Sequence, residues 1–209
     1  MDLLSELAAW RALCIIRAPE IPDPVGLGQT LVDAGMPIVE FSFTTPNAPA
    51  LMAQAAKVDG LILGAGTVMT EQDARDAINA GAQFLLTPGL RPKVAAEAIR
   101  QGVPIVLGAM TPTEVADAVE LGATAVKVFP AARLGPEYFK DLHGPYPGTS
   151  LVATGGLHAG NATEYLEAGA LAVTAGSGVV SPALAAESRL KEIALRAREF
   201  VDATLNLNP

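Results

Sequence analysis

The chain has 209 residues, half of them hydrophobic and only 17% charged, a balance that points to one compact domain over residues 1–209 and excludes both a disordered chain and a pair of large domains. Its 14 basic and 22 acidic side chains leave a net charge of −8, which repels phosphate backbones and anionic lipid and argues against nucleic acid and membrane surfaces as partners. Glycine (20) and proline (16) are too few for low-complexity sequence and read as punctuation between elements.

The opening Met-Asp-Leu-Leu-Ser-Glu is acidic where a secretory leader needs positive charge. Together with the lack of any apolar run of about eighteen residues, this predicts a soluble cytoplasmic protein. Leu3, Leu4, Leu7 and Ala8 form an amphipathic turn or two ending at Trp10, expected to plug the bottom of whatever follows. The single cysteine, Cys14, sits in the apolar run Leu13–Ile16 and reads as a small buried thiol.

From there a beat recurs, in which a helical pattern ends in glycine and an apolar strand begins a few residues later. The clearest glycines are Gly35, Gly81, Gly102, Gly122 and Gly169, spaced 46, 21, 20 and 47 apart, with weaker copies at Gly60 and Gly148. Adding the first strand predicts eight strands near residues 13–17, 37–43, 61–65, 83–87, 104–108, 125–129, 150–154 and 171–175. Helical stretches lie between them, with capping starts at Thr70-Glu71-Gln72-Asp73 and Thr111-Pro112-Thr113-Glu114. Eight strand–helix units give an α/β fold, a (β/α)8 TIM barrel with a short N-terminal helix. An open doubly wound sheet shares the alternation, but it commonly has five or six strands and a dinucleotide loop that this sequence lacks.

In such barrels the chemistry comes from the carboxyl ends of the strands. Those ends carry Arg17, then Glu40 with Ser42 and Thr44, then Thr67, Thr87, Lys127, Thr154 and the run Thr174–Gly178. Lys127 stands apart from Lys57, Lys93, Lys140 and Lys191, which fall in helical or loop stretches. Alternation through Ala125-Val126-Lys127-Val128-Phe129 turns the valines to the helix layer and Lys127 into the barrel. A buried ammonium is costly, and a lysine that gives up its proton is what imine chemistry needs. The same alternation points Ile38, Glu40 and Ser42 inward, so Glu40 is either the lysine's ion-pair partner or a proton shuttle for carbon–carbon bond cleavage.

The loops after the seventh and eighth strands, Thr154-Gly155-Gly156 and Ala175-Gly176-Ser177-Gly178, read as turns or as a cradle of backbone N–H groups for phosphate. Gly64-Ala65-Gly66-Thr67 is a weaker anion signal, with neither a Walker lysine nor dinucleotide spacing. Arg17 suits a carboxylate, or a rim ion pair. His143 and His158, in loops 15 apart, form no metal-ligand cluster. Leu184–Leu205 reads as a mixed-charge amphipathic helix covering the barrel edge.

With these residues in view, the chain resembles the 2-keto-3-deoxy-6-phosphogluconate aldolases and their phosphogalactonate relatives over nearly its whole length. The resemblance is carried by Val39-Glu40, Gly64-Ala65-Gly66-Thr67-Val68, Thr87-Pro88-Gly89, Val126-Lys127-Val128-Phe129-Pro130-Ala131 and Thr154-Gly155-Gly156, in the family's order. It implies a class I aldolase without metal or other cofactor, in which Lys127 forms the imine and Glu40 moves protons. The implied reaction cleaves a phosphorylated 2-keto-3-deoxy acid to pyruvate and glyceraldehyde 3-phosphate. It implies pocket roles for Thr67, Thr87, Pro88, Phe129 and Thr154, a phosphate cradle of Gly155, Gly156, Gly176 and Ser177, and a homotrimer. Gluconate-type members carry an arginine where this chain has Thr44, whereas galactonate-type members have a small polar residue there and an arginine matching Arg17. Thr154 is similar to the gluconate type. Ala153 and Ala175 replace a usual proline and glycine. Two other readings stay open, a 4-hydroxy-2-oxoglutarate aldolase and a phosphosugar-binding barrel without imine chemistry.

Overall fold

The computed structural model describes residues 1–205. After helix α1 (Leu3–Trp10), strand β1 (Ala12–Ile16) and helix α2 (Pro24–Asp33) begin an alternation that runs β2 (Ile38–Ser42), α3 (Ala48–Ala55), β3 (Ile62–Gly66), α4 (Glu71–Asn79), β4 (Phe84–Leu86), α5 (Pro92–Arg100), β5 (Ile105–Ala109) and α6 (Pro112–Glu120). It continues through β6 (Ala125–Val128), α7 (Ala131–Leu134), α8 (Glu137–His143), β7 (Leu151–Ala153), α9 (Ala162–Glu167), β8 (Ala172–Ala175), α10 (Pro182–Ala186) and α11 (Leu190–Leu205). The eight strands are all parallel and close into a barrel in chain order, β8 pairing back onto β1 through Leu13 and Thr174. Every expected strand is present within two residues of its reading.

The beat of glycines has a physical cause. Gly35, Gly60, Gly81, Gly102, Gly122, Gly148 and Gly169 all adopt φ between 67° and 101°, the left-handed region that ends a helix and re-aims the chain at the next strand. Helix starts follow the capping chemistry as well. Thr70 and Thr111 each accept from the backbone N–H three residues on, while Asp73 and Glu114 reach back to the cap. Thr111→Ala is therefore expected to lower stability by about 1 kcal/mol, read as a shift in the urea unfolding midpoint.

Alternation along each strand sorts side chains into two packed layers. Val39, Phe41, Val126, Val128, Val173 and Ala175 join the layer between barrel and helices. Leu13, Ile38, Phe84, Val106, Ala125, Val152 and Ala172 fill the lower barrel, where Leu3 and Leu7 of α1 close the bottom as a plug. Cys14 faces the outer layer, and burial pushes its thiol pKa up, with the charge of Glu40 adding to the effect.

Two expectations are corrected. The Leu184–Leu205 stretch is two helices, because the chain breaks at Ser188, a non-glycine residue at φ 50°. His143 ends α8 instead of lying in a loop, with Nε2 3.0 Å from the carbonyl of Gly169. The segment after β6 folds as two short helices, with Gly135 between them at φ 82°. No helix among the described residues is long and apolar enough to cross a membrane.

Candidate active site

Above the lower core the barrel interior changes character. Lys127 of β6 is 4% exposed and Glu40 of β2 is fully buried, both pointing inward as the alternation predicts. The Lys127 ammonium lies 5.7 Å from the ring centroid of Phe129, a distance at which a cation is attracted to the ring face. Among the described residues no carboxylate oxygen lies within 4.0 Å of Lys127, so the ion-pair reading of Lys127 and Glu40 does not hold. Both oxygens of Glu40 lack a hydrogen-bond partner among the described residues. Burial drives the Glu40 pKa up, against the smaller opposing pull of the Lys127 and Arg17 charges.

Gly66 explains how a carboxylate fits there. A Cβ at that position would lie 2.2 Å from Glu40 Oε1, and one at Gly64 would lie 2.2 Å from the Phe84 ring. The Gly64-Ala65-Gly66 segment is thus a space-making device, not an anion loop.

A cavity of about 490 Å3 opens over Lys127 at the carboxyl ends of the strands. It brings together Arg17, Thr67, Pro88, Lys127, Phe129, Thr154, Gly155, Gly156, Gly176 and Ser177 of the sequence-derived set. Arg17 donates from Nε to Ser42 Oγ (3.3 Å) and from Nη2 to Thr67 Oγ1 (3.1 Å), and Ser42 also bonds Thr67 and Thr44. No ion pair among the described residues engages Arg17, so the guanidinium is fixed by hydroxyls with its charge uncompensated. Thr67 holds φ 57°, a costly conformation for a threonine that persists only where its surroundings enforce it.

Three of the sequence-derived residues lie outside the cavity lining: the buried Glu40, Thr44 and Thr87. Thr44 is exposed and supports Ser42. Thr87 is fully buried, donates to the Gly89 carbonyl (2.7 Å) and accepts from the Gly108 N–H (3.3 Å). Its bonds tie down the turn that presents Pro88, and Gly108 lets that turn pass, since a Cβ there would lie 2.4 Å from the Pro88 carbonyl carbon.

On the far side, Gly155 and Gly156 take φ 95° and 76°, and a Cβ on Gly155 would strike the Phe129 ring at 2.9 Å. The backbone N–H groups of Gly155, Gly156, Gly176, Ser177 and Gly178 make no hydrogen bond within the described residues. Free backbone N–H groups in two loops that line one cavity suit an anion. Ile15 and Val180 also line the cavity, and sequence reasoning did not single them out; Thr174, counted among the polar strand ends but given no role, lines it too. Alternation from Ala172 would have marked Thr174 as inward-facing. No cluster of potential metal ligands exists among the described residues.

A barrel that buries a lysine and a carboxylate in one interior, with a hydroxyl-held arginine and loops of free N–H groups at the cavity above the lysine, has the makings of a Schiff-base lyase. The chain belongs to the KDPG and KHG aldolase family, whose model matches residues 4–195. It is 36% identical over 168 residues to the 2-dehydro-3-deoxy-phosphogluconate aldolase of Treponema pallidum, covering 79% of this chain and 80% of that one. To the 2-dehydro-3-deoxy-6-phosphogalactonate aldolase of Escherichia coli it is 32% identical, covering 83% and 84%. Among solved structures, the KDPG aldolase of Legionella pneumophila, with pyruvate captured as a covalent carbinolamine, superposes with a TM-score of 0.86 at 26% identity, covering 93% of this chain and 96% of that one.

Proposed function

We propose that this chain is a class I aldolase that cleaves a 2-keto-3-deoxy-6-phospho sugar acid, of gluconate or galactonate configuration, to pyruvate and glyceraldehyde 3-phosphate. The observation that carries the reading is the inward Lys127 under an open cavity, with Glu40 buried and unpartnered in the same interior. Lys127 gives up a proton and its amine attacks the ketone carbon, and the carbinolamine takes up a proton and loses water to give the iminium. A base then takes the proton of the carbon-4 hydroxyl as the bond between carbons 3 and 4 breaks. Its electrons pass to the iminium nitrogen, the aldehyde leaves, and an enamine remains. Protonation at carbon 3 and hydrolysis release pyruvate and restore the lysine.

Glu40 is the proton carrier in this scheme, and the burial that raises its pKa favours its holding a proton that it can pass on. Arg17, fixed by Ser42 and Thr67, takes the substrate carboxylate. Gly155, Gly156, Gly176 and Ser177 hold the phosphate through backbone N–H groups, which lets an acidic protein bind a small anion locally. Phe129, Thr154 and Pro88 line the reacting centre. The reading extends, on family resemblance, to a single-domain cytoplasmic enzyme assembled as a homotrimer.

The test is direct. Incubation with pyruvate and borohydride is expected to leave a covalent adduct, seen in the intact mass and mapped by peptide digestion to Lys127. An unmodified protein would remove the imine reading and leave only a phosphosugar-binding barrel.

A further inference from the structure

Among the described residues, four buried side-chain oxygens lack a hydrogen-bond partner, and all four lie inside the upper barrel: the two of Glu40, Thr154 Oγ1 and Thr174 Oγ1. Glu40 and Thr154 already have work in the proposed reaction. Thr174 does not. It is 2% exposed and is one of the residues that line the cavity, its hydroxyl oxygen buried in the wall. A buried hydroxyl without a partner is costly to keep, so an unpartnered one in the wall of a binding cavity marks a position where something else completes the bond.

Strand register says what that something is. Lys127 is level with Val152, and Val152 with Ala172, so the next inward positions up are Phe129, Thr154 and Thr174. Two residues further along the same strands come Gly156 and Gly176 of the anion loops. Thr174 therefore stands midway between the lysine and the free N–H groups of the loop that follows its own strand. A ligand that is covalent at Lys127 and carries its phosphate in that loop must pass its middle carbons across Thr174. The neighbouring lining residues Ile15 and Val180 are apolar and offer those carbons no polar partner.

We infer that Thr174 is a specificity-determining residue of this chain, whose hydroxyl bonds a substrate hydroxyl in the carbon 4–carbon 5 segment. The inference rests on the aldolase reading above, because that reading defines where the two ends of the substrate lie. It concerns the aldehyde half of the molecule only. Pyruvate alone, held by Lys127 and Arg17, does not reach this position.

The experiment compares Thr174→Val, which keeps the shape and removes the hydroxyl, with Thr174→Ser, which keeps the hydroxyl. For cleavage of a phosphorylated 2-keto-3-deoxy acid, Thr174→Val is expected to lower kcat/KM about tenfold, with Thr174→Ser close to the wild type. Borohydride trapping of pyruvate and thermal stability should be unchanged or improved in Thr174→Val, since a methyl group replaces an unsatisfied hydroxyl. Unchanged kcat/KM in Thr174→Val would overturn the inference. So would a loss of pyruvate trapping in the same proportion, which would mark a structural role. Failure of the wild-type protein to trap pyruvate would instead remove the aldolase reading on which the inference stands.

Discussion

Lys127→Met is expected to fold normally, to form no adduct with pyruvate and borohydride, and to lose at least about four orders of magnitude in kcat. Methionine matches the length of the lysine stem and suits an inward position between Ala125 and the ring of Phe129. No carboxylate pairs with the ammonium at 4.0 Å or less among the described residues, so the substitution removes a buried charge and strands no ion-pair partner. The melting temperature should hold or rise while activity disappears, a combination that separates a chemical role from a structural one. Lys191→Met, in exposed α11, is the control and should retain both activity and trapping. A Lys127→Met protein that still forms the adduct would move the nucleophile elsewhere and sink the proposed site.

The barrel was legible because its two periodicities are local. Left-handed glycines such as Gly81 and Gly169 end helices wherever they occur, and period-two alternation turns Lys127 and Glu40 inward whatever their neighbours are. What a single strand does not encode is the space across the barrel. Gly66 is next to a threonine in sequence but serves the Glu40 carboxylate on the adjacent strand, and Gly108 serves the turn at Pro88. Thr87 falls at a strand end like a cavity residue, yet its hydroxyl is consumed by Gly89 and Gly108. The absence of a Lys127–Glu40 ion pair is equally invisible in sequence, where both are simply inward charges on β2 and β6. In the last segment the amphipathic pattern runs on through Ser188 although the backbone turns there, because charge spacing on either side suits a helix equally well.

Glu40→Gln separates activity from stability in opposite directions. The amide has nearly the shape of the protonated carboxyl, so it fits the space that Gly66 leaves, but it cannot carry a proton. Loss of a positioned acid–base group costs about 10²- to 10⁴-fold in kcat, and the variant should fall in that range while still trapping pyruvate, if slowly. Stability follows from the direction of the pKa shift. Burial raises the Glu40 pKa in the folded protein even after the attraction of Lys127 and Arg17 is counted. A group whose folded pKa lies above its unfolded value contributes stability fully below the ordinary carboxylate range, and that contribution is lost as pH rises through the folded value. The wild-type protein therefore spends folding free energy at neutral and alkaline pH to keep or ionise this carboxyl in a dry interior, and the amide does not. Thermal melts at pH 8 should show Glu40→Gln more stable than the wild type, with the gap closing as the buffer is taken down toward pH 4. A gap that widens toward acid would mean that the carboxylate is stabilised by its surroundings, and would contradict the buried, unpartnered environment in which the structure sets it.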